Sequence, residues 1–479
     1  MTSQRRTLVI CGGGLAGNLT SLSLAHMLGD GVAIIQIVDP GSGANDAFYG
    51  GATAPEAHNF LHALGLDEST LMLKSQTSFS YGTVFNTWVS ARPFTLCHHA
   101  PFALPGGIPL RHFLTRSDLA LEPLLISAQA ARQGRFAHPP QDARNPLSRA
   151  EYGYQFAASE WASLAETLMA PRDIRRHHAA IRSVERDSES GAITQLVLAS
   201  GEVVTGDLFI DASGPQRHLI GALDARFEAS RGLAVREQTR ASAQLGPACR
   251  VVNAQAQGWS VTTHLQDRLV DLHISAFDHQ DTSSDLQALT LGWLDQPWIS
   301  NCVAVGHAAS LIEPLTPAPM MMLQRDIERL QELIPASADM STERREFNRR
   351  FKDDVSQAKS FHDALYLTER ASPSPFWDSA VDTEGSPGLA RKITQFENRG
   401  ILVSYDLEPF NEEDWTQNHL GMGRKPRQFD RQLDTIPVQQ AEQNLAQMKA
   451  GIEQMVAKMP PHAVYLARFK DYLMRQGHG

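Results

Sequence analysis

The sequence predicts an α/β fold: a parallel sheet with helices on its faces, a second β-sheet domain, and a helical C-terminal region. Three observations predict it. First, an apolar strand (Leu8 to Cys11) runs through a glycine turn into a helix-like stretch ending near Leu28, then into a second strand, Val32 to Val38. Second, two later strands, Asp207 to Asp211 and Trp298 to Val305, also run into small-residue turns, Ala212-Ser213-Gly214 and Gly306-His307-Ala308-Ala309. Third, residues Cys249 to Phe277 alternate apolar and polar, whereas the chain from Ile327 onward has helical periodicity.

The first element is the most specific. Gly12, Gly14 and Gly17 follow G-x-G-x-x-G, with Leu15 and Ala16 completing the turn and Asp39 ending the next strand. Gly12 permits the tight turn, Gly14 lets the backbone approach a pyrophosphate, and Gly17 lets helix and strand pack closely. The helix N-terminus offers free N–H groups and a partial positive charge to phosphates. Asp39 can accept hydrogen bonds from ribose hydroxyls. This is a Rossmann-like dinucleotide site.

Composition narrows the function. A chain of 479 residues supports a large core and two intimately joined domains. A net charge of -10 argues against nucleic acid and anionic membranes as partners. No apolar run reaches membrane-spanning length, and Met1 to Arg6 has no signal-peptide core, so a cytoplasmic location is expected. The four cysteines, Cys11, Cys97, Cys249 and Cys302, have no C-x-x-C spacing and read as buried thiols. The pairs His98-His99 and His177-His178 read as surface or loop histidines. No metal site is expected.

In chain order, a glycine-containing loop (Gly41, Gly43, Gly50, Gly51) leads to Ala52-Thr53-Ala54-Pro55 and a helix from Glu56 to Leu64. Ser78 to Val89 reads as a strand, Ala91 to Arg111 as an irregular excursion, and Trp161 to Met169 as a helix. Residues 181–205 read as a small meander turning at Ser200-Gly201. A helix starting near Glu313-Pro314-Leu315-Thr316-Pro317-Ala318-Pro319 can aim its N-terminus at a cofactor ring.

The three strand-to-turn elements resemble those of FAD-containing monooxygenases of the p-hydroxybenzoate hydroxylase type. The finer motifs resemble one branch, the flavin-dependent tryptophan halogenases. They are Gly51-Ala52-Thr53-Ala54-Pro55, the strand ending at Trp88, Phe209 to Gly214, Asn301-Cys302-Val303, Glu313-Pro314-Leu315, Pro375-Phe376-Trp377, Ser404-Tyr405-Asp406, Leu420-Gly421-Met422-Gly423, and Met459-Pro460-Pro461-His462. The resemblance implies a module over residues 1–330 that binds FAD, with an inserted substrate-binding sheet at about 75–160 and 225–295. Residues 331–479 would form a helical region covering the substrate. It also implies that FAD is held by Gly12, Gly14, Leu15, Ala16, Gly17, Asp39, Ala52, Thr53, Asp211, Gly214, Gly306, Pro314 and Leu315. With no second dinucleotide motif in the chain, a separate flavin reductase or free reduced flavin is expected.

The chain departs from this family where the chemistry sits. The resemblance implies that a flavin C4a-hydroperoxide oxidises halide, and that a lysine helped by a glutamate delivers the halogen. Ser80 stands at the lysine position and Thr316 at the glutamate position. Pro317, Ala318 and Pro319 replace the Ser-Thr-Gly that helps hold halide, and two prolines bring no N–H. Of the W-x-W-x-I-P motif only Trp259 survives, with Val261, Thr263 and His264 elsewhere in it.

These departures suggest an FAD-dependent monooxygenase that hydroxylates an aromatic substrate of the indole or tryptophan class. The substrate is free or carried on a peptide or protein, as in tryptophylquinone cofactor formation. The alternatives are a divergent halogenase with relocated groups, Lys74 for instance, and a flavin-binding pseudo-enzyme that escorts a partner. His264 reads either as a general base or as a hydrogen-bonded structural histidine. His307 reads as steering the oxidant or capping its turn. Ser80, Phe85, Trp88 and Trp259 are candidate pocket walls, and Val261 is expected to open the pocket onto the flavin.

Overall fold

The computed structural model describes residues 6–89, 93–100, 107–277, 286–368, 374–380, 386–403 and 407–477. The motif Ser404-Tyr405-Asp406 and residues 91–92 and 101–106 of the expected excursion lie outside the described residues.

A six-stranded sheet forms the first layer, in the order Trp298–Ile299, Cys302–Ala304, Leu208–Asp211, Arg6–Cys11, Val32–Val38, Ile174–His178. All pairings are parallel except that of the short edge strand Trp298–Ile299. Parallel strands are covered on both faces, which explains the nearly continuous apolar runs. Val9, for example, lies between Phe209 and Ile35, all three buried. The helix Leu15–Leu28 has buried residues all round its first ten positions. It packs between the sheet and two further helices, Ala158–Met169 and Ala318–Glu332, the setting in which a helix can be apolar on every side. His177 and His178 lie on the edge strand of this sheet rather than in a loop.

The second layer is an eight-stranded sheet. Its order is Ser310–Leu311, Gln287–Leu294, Phe227–Ala241, Arg268–Ala276, Gly258–His264, Arg250–Gln255, Gly82–Asn86, Phe94–Cys97. The expected strand Ser78 to Val89 is split. Ser78–Ser80 pairs with Gly153–Gln155, and Gly82–Asn86 enters the large sheet. The break falls at Tyr81, whose N–H leaves both ladders for Ala248 O at 2.6 Å. The meander is Ile181–Arg186, Ile193–Leu198 and Val203–Val204.

From Ala318 onward the described elements are almost all helical. Ser341–Tyr366, Glu412–Gly421, Val438–Lys458 and His462–Arg475 are among them. Glu412–Gly421 starts with a reciprocal cap in which the Asn411 side chain accepts from Asp414 N–H and Asp414 accepts from Asn411 N–H. The four cysteines are buried and free. Among the described residues, no helix is long and apolar enough to cross a membrane, and no cluster of His, Cys, Asp and Glu could hold a metal ion.

Candidate functional site

The glycine turn follows the sequence spacing for steric reasons. A Cβ on Gly17 would lie 2.1 Å from Gly12 O, and one on Gly12 would lie 2.3 Å from Ala212 O. Helix, turn and neighbouring strand end are therefore in backbone contact, which only glycine permits. At the head of the helix Leu15–Leu28 the first N–H is already engaged: Leu15 N–H donates to Asp46 Oδ2 at 2.6 Å. A Cβ on Gly14 would meet that oxygen at 2.6 Å and Gly43 Cα at 2.7 Å. The loop after Asp39 thus folds over the turn. Asp39 Oδ1 lies 3.7 Å from His218 Nε2. Turn, helix head and strand-end acid are the features a dinucleotide site needs, and at this helix head Asp46 Oδ2 takes the Leu15 N–H.

The other two strand ends are braced from within. Asp211 is fully buried. Its Oδ2 accepts from the N–H groups of Leu219 and Ile220, and its Oδ1 from Ser213 N–H and Oγ. Gly214 adopts φ 77° in the turn that follows. Gly306 N–H donates to Asp326 Oδ2 at 2.9 Å, and burial pushes that carboxyl up to about 7. Tyr49 reaches in from the Asp39 loop. Its hydroxyl accepts from His307 N–H, and its ring stacks on the His307 ring at 3.7 Å and 8°. Burial, then nearby Arg217, drives His307 down to about 3, so the ring is neutral at physiological pH. His307 Nε2 is buried with no hydrogen-bond partner among the described residues.

A residue absent from the sequence reading joins the Asp39 loop to the second sheet. Arg250 is fully buried and has no ion-pair partner among the described residues. Its Nη1 donates to Gly50 O at 2.6 Å and Pro314 O at 3.1 Å, and its Nη2 to Thr83 Oγ1 and Leu315 O, both at 3.3 Å. Burial lowers it to about 9, which leaves it charged at neutral pH. One guanidinium therefore ties together the cofactor-side loop, the Pro314-Leu315 segment and the strand Gly82–Asn86. Ala52 bridges to Gln155, and the Thr53 hydroxyl accepts from Tyr154 N–H, so that loop is also pinned at its far end.

Thr316, at the glutamate position, is buried and lies 2.8 Å through Oγ1 from His362 Nε2. Oγ1 also accepts from Ala318 N–H at 3.2 Å. Thr316 Oγ1 thus engages both the His362 ring and the Ala318 N–H. Burial and then Arg250 hold His362 at about 3. Beside Thr316 a cavity of about 50 Å³ is lined by Gly82, Thr83, Leu96, His98, Pro317, Phe361 and Phe410, among others. Ala54, Glu56, Met321, Pro409 and Asn411 line both this cavity and a cleft of about 850 Å³. The cleft is of ligand size and the inner cavity is not.

The expected pocket walls are not brought together as one wall. Phe85, Trp88, Trp259 and Val261 are at most 1% exposed and belong to one aromatic and aliphatic core with Phe94, Leu315, Tyr366 and Trp377. Trp88 meets Phe85 at 5.4 Å and Trp377 at 5.1 Å. Ser80 lies apart, its Oγ turned back onto Gly82 O and N–H at 3.2 Å. His264 has the contacts of a hydrogen-bonded structural histidine: its Nδ1 is 3.0 Å from Cys249 O, and its ring lies so close to Gly246 that a Cβ there would sit 2.0 Å from His264 Cδ2. Burial lowers its pKa. Lys74 is exposed at the end of the helix Glu68–Lys74.

Comparison with known proteins agrees with this architecture. The family model described as tryptophan halogenase matches residues 7–438. The tryptophan 6-halogenase ThaL of Streptomyces albogriseolus is 23% identical over 83% of this chain and 82% of its own length. The 7-chloro-L-tryptophan 6-halogenase KtzR of Kutzneria sp. is 23% identical over 97% of this chain and 99% of its own. Among solved structures, BrvH, a flavin-dependent halogenase from Brevundimonas sp. BAL3, superposes with a TM-score of 0.89 at 25% identity, covering 97% of this chain and 99% of that one.

Proposed function

The chain belongs to the tryptophan halogenase family, and within it we propose an FAD-dependent monooxygenase that hydroxylates an aromatic substrate of the indole class. The observation that carries this reading is the pair Thr316–His362 at the glutamate position. A neutral hydroxyl bonded to a neutral imidazole offers no carboxylate to assist a lysine, and Ser80 offers no amine. The halide-holding segment is equally depleted, because Ala318 N–H is bound to Thr316 and Pro317 and Pro319 have no N–H.

Bound and reduced by a separate reductase, FAD supplies the oxygen-activating chemistry. Gly12, Gly14, Leu15, Ala16 and Gly17 hold its phosphates in this reading, Asp39 its ribose, and the segments at Ala52-Thr53, Asp211 to Gly214, Gly306 and Pro314-Leu315 surround the remainder. Arg250 fixes the Gly50 and Pro314 carbonyls that border that region. The fully buried core of Phe85, Trp88, Trp259 and Val261 excludes water from one side. The substrate enters by the cleft of about 850 Å³, which has room for a free indole or for a side chain presented on a peptide. The stacked pair Phe361–Phe410, ring centroids 3.8 Å apart, walls the inner cavity beside that cleft.

The relocated-halogenase reading loses support from Lys74, which is solvent-exposed. The test is an incubation of the protein with FAD, a flavin reductase, NADH, oxygen and a panel of free and peptide-borne indoles, with and without bromide. Oxygenated product supports the proposal. Flavin reoxidation without oxygenated product from any indole overturns it.

A further inference from the structure

We propose that Asp46 is a resident anion at the phosphate position of the glycine turn, and that its displacement sets how tightly the cofactor binds. The proposal rests on the reading of that turn as the dinucleotide site. Leu15 N–H, the first free donor of a fourteen-residue helix, is bound to Asp46 Oδ2 at 2.6 Å. The same oxygen fills the space above Gly14 that a phosphate would approach. Two anions cannot share one helix head, because each draws its stabilisation from the same N–H groups and the same partial charge. Cofactor entry therefore requires the Asp46 carboxylate to leave.

On the near side of Asp46, Gly41 and Gly43 adopt positive φ and give the loop its turn, whereas Gly50 and Gly51 beyond it are held by Arg250 and by Phe156 N–H. Beyond the helix head, the titratable group facing Asp46 is the Tyr49 hydroxyl, and no cation pairs with Asp46 among the described residues. Burial raises the Asp46 carboxyl to about 6, with the Leu15 N–H opposing the rise. Protonation then weakens its hold on the helix head as pH falls through that value.

The test is a titration of the cofactor-free protein with FAD, read by flavin fluorescence, above and below a pH of about 6. Asp46→Asn keeps the cap and removes the charge. Asp46→Ser, a shorter neutral cap, serves the same purpose if the first variant misfolds. The expected result is FAD binding about five- to tenfold tighter in the variant at neutral pH, with the wild-type gain in affinity at low pH abolished. The His218–Asp39 contact is present in both proteins and cancels in the difference. A variant that binds FAD no more tightly and keeps the wild-type pH profile overturns the proposal. Absence of FAD binding by the wild type at either pH overturns the dinucleotide reading beneath it.

Discussion

Thr316 Oγ1 sits 2.8 Å from His362 Nε2 and at the same time receives the Ala318 N–H. The hydroxyl therefore bonds the ring and the N–H at once, and burial keeps the ring neutral. Thr316→Val keeps the shape and removes the oxygen, leaving a buried imidazole nitrogen and a buried N–H unpaired. A loss of about 1–3 kcal/mol is expected, measured as a shift in the urea midpoint with unchanged slope. No change in midpoint would mean that water replaces the hydroxyl.

Arg250 is expected to be the most sensitive single position outside the glycine turn. Arg250→Ala abandons a filled volume and four accepting oxygens on three segments. The expected cost is about 2–5 kcal/mol, with FAD affinity falling alongside stability because Gly50 and Pro314 lose their tie. Arg250→Lys retains the charge but not the planar fork, so it should recover only part of the loss. Urea unfolding and FAD titration of the two variants check this.

Gly17→Ala places a methyl 2.1 Å from Gly12 O. The helix must then move off the strand, and FAD binding is expected to be lost while the second sheet stays folded. A crystal structure or circular dichroism of the variant, with FAD titration, distinguishes this from global unfolding.

Acid should destabilise the fold. His98, His99 and His462 are held at about 4, and His307 and His362 at about 3, in each case chiefly by burial. Each folded value lies below the unfolded one of about 6.5, so the unfolded chain binds more protons once pH drops below that point. The stability these groups contribute is complete above about 6.5 and is lost as pH falls towards 4. Asp46, Asp326 and Asp414, raised to about 6, 7 and 7 by burial, act in the opposite sense, stabilising at low pH. Five histidines against three carboxyls leaves a net loss. Urea midpoints should fall between pH of about 6.5 and 4.5.

What the sequence disclosed was local backbone logic. Gly12, Gly14 and Gly17 can be read because each glycine answers to neighbours within a few residues or to a strand whose apolar run is itself visible. Arg250 could not be read in this way. An arginine at the start of an alternating strand looks like a surface residue, and its partners lie 200 residues upstream at Gly50 and 64 downstream at Pro314. Asp46 was hidden for a similar reason: an acid in a glycine-rich loop looks solvated until the loop folds back on Leu15. The aromatic residues were legible as buried but not as core or wall, because hydrophobicity does not say which side of a packed layer faces a ligand. The packing of the His264 ring was not legible, because its partner Gly246, eighteen residues earlier, lies outside the strand that carries it.

Oxygen transfer in place of halogen transfer is tested most directly by the mass of the product formed in saturating bromide. With FAD, reductase, NADH, oxygen and an accepted indole, the expected product is heavier by one oxygen atom, takes its label from isotopic oxygen gas, and is unaffected by bromide. A brominated product whose yield rises with bromide would contradict the claim and return the chain to the halogenating chemistry of its relatives.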